Sequence, residues 1–204
     1  MKRRTFDALL ATGGLVLMVV LVIAGALLSW GSSFAKDNVR TQLTEQKIVF
    51  PTTEVIKAQN NAEITKYVTP YAGQQVVNGT QARVFADHYI KVHLKGTANG
   101  QTYSEVSGKY IGLLRTNPKD PALAELGQQR QTLFMGETLR GLLLNAYAFG
   151  KLGEIAGIAA VVSFIGAGVM LLLSALGFWH LRRVSPEAEV LPRLGAHTPA
   201  PVEL

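Results

Sequence analysis

Two stretches of this chain carry no charged residue and are almost wholly apolar: Ala8–Trp30 and Ile155–Phe178. A helix rises about 1.5 Å per residue, so roughly 20 residues cross a bilayer core. Both stretches reach that length. In lipid their backbone groups must pair within the segment, which leaves the helix as the only conformation available to each. The expectation is an all-α membrane protein, with two transmembrane helices flanking a small helical extracytoplasmic domain at 31–154.

Positive flanks set the orientation. Lys2, Arg3 and Arg4 precede the first stretch, and Arg182 and Arg183 follow the second. Residues 1–7 and the tail 179–204 then face the cytoplasm, and the membrane is the plasma membrane. The tail, rich in Pro and polar residues, reads as disordered. The first stretch has a rival reading. Its basic start and Ser33-Phe34-Ala35 resemble a secretory signal with cleavage after Ala35. Signal cores run about 7–15 residues, however, and this one is longer.

Residues 31–154 hold 14 Lys and Arg against 10 Asp and Glu, a net of +4. The charges are dispersed, which suits a solvated surface and not nucleic-acid binding. The chain has no cysteine, so disulfides and thiolate metal sites are excluded.

Within that segment, "FAKDNVRTQLTEQK" (34–47) continues the first helix outward, with Val39 and Leu43 on one face. Pro51 is the expected stop. The next stretch mixes short apolar pairs with Asn, Pro and Gly, which reads as loop with short helices. Asn78 caps a helix through Phe85, Tyr89 and Val92, with Gln81 placed as in a capping box. The alternation of Ile90, Val92 and Leu94 with Lys91, His93 and Lys95 allows a hairpin instead. The unbroken capped run before it favours the helix. Thr102 and Glu105 form a second capping-box pattern, opening a helix that Asn117-Pro118 breaks. Asp120-Pro121 starts the last outer helix, as N-cap and N1.

That last helix, about 121–151, raises the question of a third span. "LFMGETLRGLLLNAYAF" (133–149) is apolar but carries Glu137 and Arg140. A charge near a span centre costs about 2.5–3.5 kcal/mol, and the uncharged run from Gly141 to Gly150 is far too short to cross. Two stripes run along it instead. Met135, Leu139, Leu142, Ala146 and Phe149 form an apolar one; Glu137, Arg140, Leu144, Tyr147 and Lys151 form a mostly polar one. The apolar stripe needs a partner: the core of the outer domain, against Phe85, Tyr89 and the helix after the first span; the membrane surface; or another protein. Gly153 and Gly157 make a GxxxG pattern suited to close helix packing, against the first span or a second copy.

Little here resembles catalytic chemistry. The motifs for nucleotide binding and serine hydrolysis are absent from the sequence. His88 and His93 are the histidines of the outer segment. Their spacing puts them about 140° apart on an α-helix, so an iron or other metal site would need Asp87, Glu63 or Glu105 brought in by the fold. No cofactor is expected.

"DNVRTQLTEQKIVFP", "YAGQQV", "TLFMGETLRGLLLNAYAF" and "GFWHLRR" together resemble a group of uncharacterised actinobacterial membrane proteins. Some members bear the label of aromatic ring-opening dioxygenase, alpha-subunit type. That label implies two histidines and a carboxylate on iron, with His88 and His93 as the histidines. The residues themselves favour a structural or interaction role: accessory subunit, assembly factor or envelope sensor. The expected partners are the bilayer and another membrane protein or a second copy. The alternatives are a membrane-tethered metal-dependent oxygenase, and a sensor with a ligand pocket near Phe85, Tyr89 and Tyr147.

Overall fold

The computed structural model describes residues 3–183. Every regular element in them is a helix. Helix α1 (Arg3–Gln46) is unbroken from the first apolar stretch into the polar segment beyond it. It ends before Pro51 is reached, because Lys47 turns to the left-handed region at φ +52°. A residue there closes a helix C-terminus. Ala35 of the suggested cleavage site lies inside α1 and is buried.

Three short elements follow: α2 (Thr53–Ala58), α3 (Ala62–Val68) and a 3-10 turn at Thr69–Tyr71. Chain extended on either side of them meets in one antiparallel bridge, Val49 with Gln75. The Asn61 side chain caps α3, accepting from the backbone of Glu63 and Ile64.

Next come α4 (Gly79–Phe85), a π turn (Ala86–Ile90) and α5 (Lys91–Thr97), which run on as one rod. Residues 90–94 are therefore helical. Asn78 caps α4 through the Gln81 N–H, and the Gln81 side chain returns to the N–H of Val77. Helix α6 (Tyr103–Thr116) opens on the full capping box, in which Thr102 and Glu105 satisfy each other's backbone N–H. Asp120 accepts from the Ala122 N–H at the head of α7 (Ala122–Leu181). The amphipathic segment and the second apolar stretch are parts of this single 60-residue helix.

The chain divides into two compact units, Trp30–Gly157 and the segments on either side of it. In Trp30–Gly157 the core gathers Val39 and Leu43 of α1 with Phe50, Ile56, Ile64, Val68, Val76, Phe85 and Leu143. Phe50 meets Phe85 edge-on at 5.2 Å and stacks on Tyr71 at 5.3 Å. Each such fully buried side chain contributes roughly 1.5–3 kcal/mol. A smaller cluster joins Leu94 and Ala98 to Val106 and Leu133.

The other unit pairs the two apolar stretches through small residues. A Cβ on Gly25 would fall 2.9 Å from the Phe164 ring, and one on Gly177 would fall 3.2 Å from the Ala11 Cβ. Both stretches are long and apolar enough to cross a membrane.

Candidate interaction surface

The part of α7 inside Trp30–Gly157 buries a face that the apolar pattern does not single out. Leu133, Gly136, Arg140, Leu143, Tyr147 and Gly150 follow steps of three and four, and each meets its own domain. Leu133 enters the smaller cluster and Leu143 the main core. Gly136 leaves room for the Leu94 side chain, which a Cβ there would overlap. A Cβ on Gly79 would come within 3.0 Å of the Tyr147 Cα, and one on Gly150 within 3.4 Å of the Gly79 Cα. The α4–π–α5 rod therefore lies hard against α7 because glycine occupies both ends of the crossing.

Several polar groups on this face are paired, while the buried Arg140 Nε has no hydrogen-bond partner among the described residues. Arg140 donates to Glu137 at 2.6 Å and to Asp87 of the π turn at 3.3 Å. Arg83 reaches the Tyr147 hydroxyl at 3.1 Å and stands over its ring, 4.9 Å from the centroid. At the foot of the segment, Ser32 donates to the Gly153 carbonyl at 2.7 Å. A Cβ on Gly153 would lie 3.1 Å from that of Ala35, and one on Gly157 2.8 Å from the Ser32 hydroxyl. Both glycines of the GxxxG pattern thus lie against α1 of the same chain.

Of the apolar stripe, Ala146 packs against the main core that holds Phe85, and the other four residues are exposed. Met135 is 55% exposed and Leu142 64%; Leu139 and Phe149 are exposed as well, and Ala146 is partly so. The reason is steric and electrostatic. A row of Met, Leu and Phe would hold the rod away, whereas the glycine-bearing face admits it and brings Asp87 to Arg140. The stripe therefore meets the core only at Ala146, and from Leu139 to Phe149 it borders the continuation of α1 beyond the first apolar stretch across an open groove.

Four of the stripe residues, Leu139, Leu142, Ala146 and Phe149, form one wall of a groove of about 410 Å³. The opposite wall is α1, with Val39 and Leu43 at the floor and Asn38, Gln42, Glu45 and Gln46 along the rim. The α7 wall is apolar apart from Asn145, and the α1 wall is rich in side-chain amides that both donate and accept. Such a groove suits an amphipathic protein segment. The α1 rim was not marked by the sequence reading. Its signal was the recurrence of amides at Asn38, Gln42 and Gln46, on one face of the helix.

Phe85 and Tyr89 pack on each other and on the main core. Their rings lie 4.9 Å apart, and Phe85 is closed off by Phe50. The histidines have separate partners. His88 stacks on Tyr67 at 3.9 Å, and its Nδ1 is 3.0 Å from a Glu63 carboxylate oxygen. The Nδ1 of His93 is 2.7 Å from the Tyr89 carbonyl in the π turn. Among the described residues, no group of three or more His, Asp or Glu side chains is placed to hold a metal ion.

The fold and this surface define a class: a helical chain with two segments able to cross a membrane and a helical domain with one open helix face. No family model, curated protein or solved structure matches it.

Proposed function

We propose that this chain is a two-span plasma-membrane protein with both ends in the cytoplasm, and that residues 31–154 form an extracytoplasmic interaction module. The resemblance to actinobacterial membrane proteins belongs to the same reading. The module serves as an accessory subunit, assembly factor or envelope sensor, and the groove between α1 and α7 receives a partner protein.

The observation that carries this is the open stripe. Contiguous apolar side chains on a soluble surface mark an interaction site. A flat lie on the bilayer is less favoured, because surface-seeking helices carry free Lys and Arg on their polar face. Here Arg140 is engaged by Glu137 and Asp87, and Lys151 by Glu154.

Two measurements test the reading. A reporter fused after Arg183 should read as cytoplasmic; an external signal would sink the topology. Affinity purification from gently solubilised membranes should recover a stoichiometric partner that Leu142→Asn releases. Recovery of the same partner by that variant would remove the groove from the account. Stoichiometric iron in the purified protein, lost on replacing His88 or His93, would instead establish the oxygenase.

A further inference from the structure

A surface cleft of about 220 Å³ opens where α6 meets the early turns of α7, lined by Tyr103, Arg130, Gln131 and Phe134. Tyr103 and Tyr110 are seven apart on α6, so both project from one face of that helix. Arg130 of α7 reaches both rings. Its guanidinium carbon is 6.0 Å from the Tyr103 ring centroid and 5.3 Å from that of Tyr110. Gly127, one turn earlier, admits the Tyr110 ring, since a Cβ there would lie 3.4 Å from it. Phe134, one turn later, sets its ring 5.7 Å from that of Tyr103. Among the described residues the Arg130 charge has no ion-pair partner, and its Nε is buried without a hydrogen bond. Acidic groups near it in α6 and α7 are engaged elsewhere: Glu105 in the cap of α6, Glu125 by the Gln129 amide, Glu137 by Arg140. Aromatic faces attract the charge but do not supply the acceptors that its N–H groups require. The guanidinium, and then the Ser107 hydroxyl, holds the Tyr103 phenol below its ordinary value of 10.0.

We propose that this cleft binds a small monocarboxylate with an apolar body. The terminal nitrogens of a guanidinium form a planar fork that matches the two oxygens of a carboxylate. The Tyr103 hydroxyl and the Gln131 amide are further donors at the cleft, and the Tyr103 and Phe134 rings flank the apolar body. One cation answers one negative charge. A phosphate would keep a charge unmatched, because among the described residues no second Lys or Arg lines the cleft. The carboxylate comes from a free organic acid or from the C-terminus of a peptide ending in an apolar residue, and the chemistry at Arg130 is the same. The cleft lies within Trp30–Gly157 and depends neither on the membrane topology nor on the groove.

The test titrates the full chain in mild detergent with 3-phenylpropionate and with 3-phenylpropionamide, its uncharged counterpart of the same shape. Binding is read by calorimetry, with empty micelles as the blank. The acid should bind about tenfold tighter or more, the ratio expected of a charge-assisted pair. Arg130→Gln should bring the acid down to the affinity of the amide while helix content by circular dichroism stays unchanged. Gln131→Glu, at an exposed position, should do the same by setting a resident carboxylate beside the guanidinium, which guards against a misfolded Arg130 variant. No binding of the acid, equal affinity for acid and amide, or an undiminished preference in both variants overturns the proposal. A further arm titrates acetyl-Ala-Ala-Phe with a free C-terminus. Tighter binding than 3-phenylpropionate supports the site with a chain terminus as the source; weaker binding supports it with a free organic acid.

Discussion

Leu142 and Leu143 are consecutive on α7, yet Leu142 is 64% exposed and Leu143 only 2%. One step along a helix turns the chain by about 100°, which here separates the groove wall from the domain core. Replacing each in turn therefore asks different questions. Leu143→Ala should destabilise the chain by about 2–5 kcal/mol through the cavity it leaves. Leu142→Asn should change stability by no more than about 0.5 kcal/mol and still abolish recovery of a partner. Thermal denaturation beside pull-down separates the two; equal loss of stability in both variants would contradict the assignment of faces.

Gly79 is the tightest backbone approach between α4 and α7. Gly79→Ala puts a Cβ against the Tyr147 Cα and the carbonyls of Ala146 and Tyr147, at 3.0–3.2 Å. Backbone atoms yield little, so a loss of about 1–3 kcal/mol is expected. Gly96→Ala in α5 meets nothing within 4 Å and should be neutral or stabilising by up to about 1 kcal/mol. Melting temperatures of the pair check the crossing; if the two variants melt alike, the close approach is not present in solution.

The start of α6 should respond to acid. The Thr102 backbone N–H, followed by its hydroxyl, holds the Glu105 carboxyl below its ordinary value of 4.5. A depressed carboxylate contributes stability above its unfolded value, and that contribution fades as pH falls through the folded one. The Thr102 amide resonance should therefore titrate with a midpoint under 4.5. Glu105→Gln should remove that titration, and Thr102→Ala should cost about 0.5–2 kcal/mol as a lost N-cap. A midpoint at or above the ordinary value would mean that the reciprocal cap does not form.

Arg140 and Asp87 tie α7 to the π turn across 53 positions. Their side chains are 20% and 30% exposed, so solvent screens the pair in part. A double-mutant cycle with Arg140→Met and Asp87→Asn should give a coupling of about 0.5–1 kcal/mol that shrinks as salt rises. Zero coupling at low salt would show the contact to be incidental.

Much of the local structure is legible in short runs of residues. Asn78, Thr102 and Asp120 each cap the helix they precede, because a cap needs only an oxygen-bearing side chain and an N–H two or three residues on. The end of α1 was less legible. Pro51 forbids helix, but Lys47 leaves it first by adopting positive φ, a choice that Lys does not announce. The π turn was hidden as well, since an extra residue in a helical turn leaves no compositional mark.

The sequence alone determined the two long apolar helices, the caps and the helical class of the segment between them. Each depends on residues within a few positions of one another. It also displayed two stripes on α7, both of helical period, and the face that packs inward, from Leu133 through Leu143 to Gly150, coincides with neither. The tertiary structure decided that. Gly136 meets Leu94 and Gly150 meets Gly79, while Asp87 reaches Arg140. These contacts join distant parts of the chain, so helical periodicity could not reveal them. They turn the mixed face inward and leave the Met135–Phe149 stripe open.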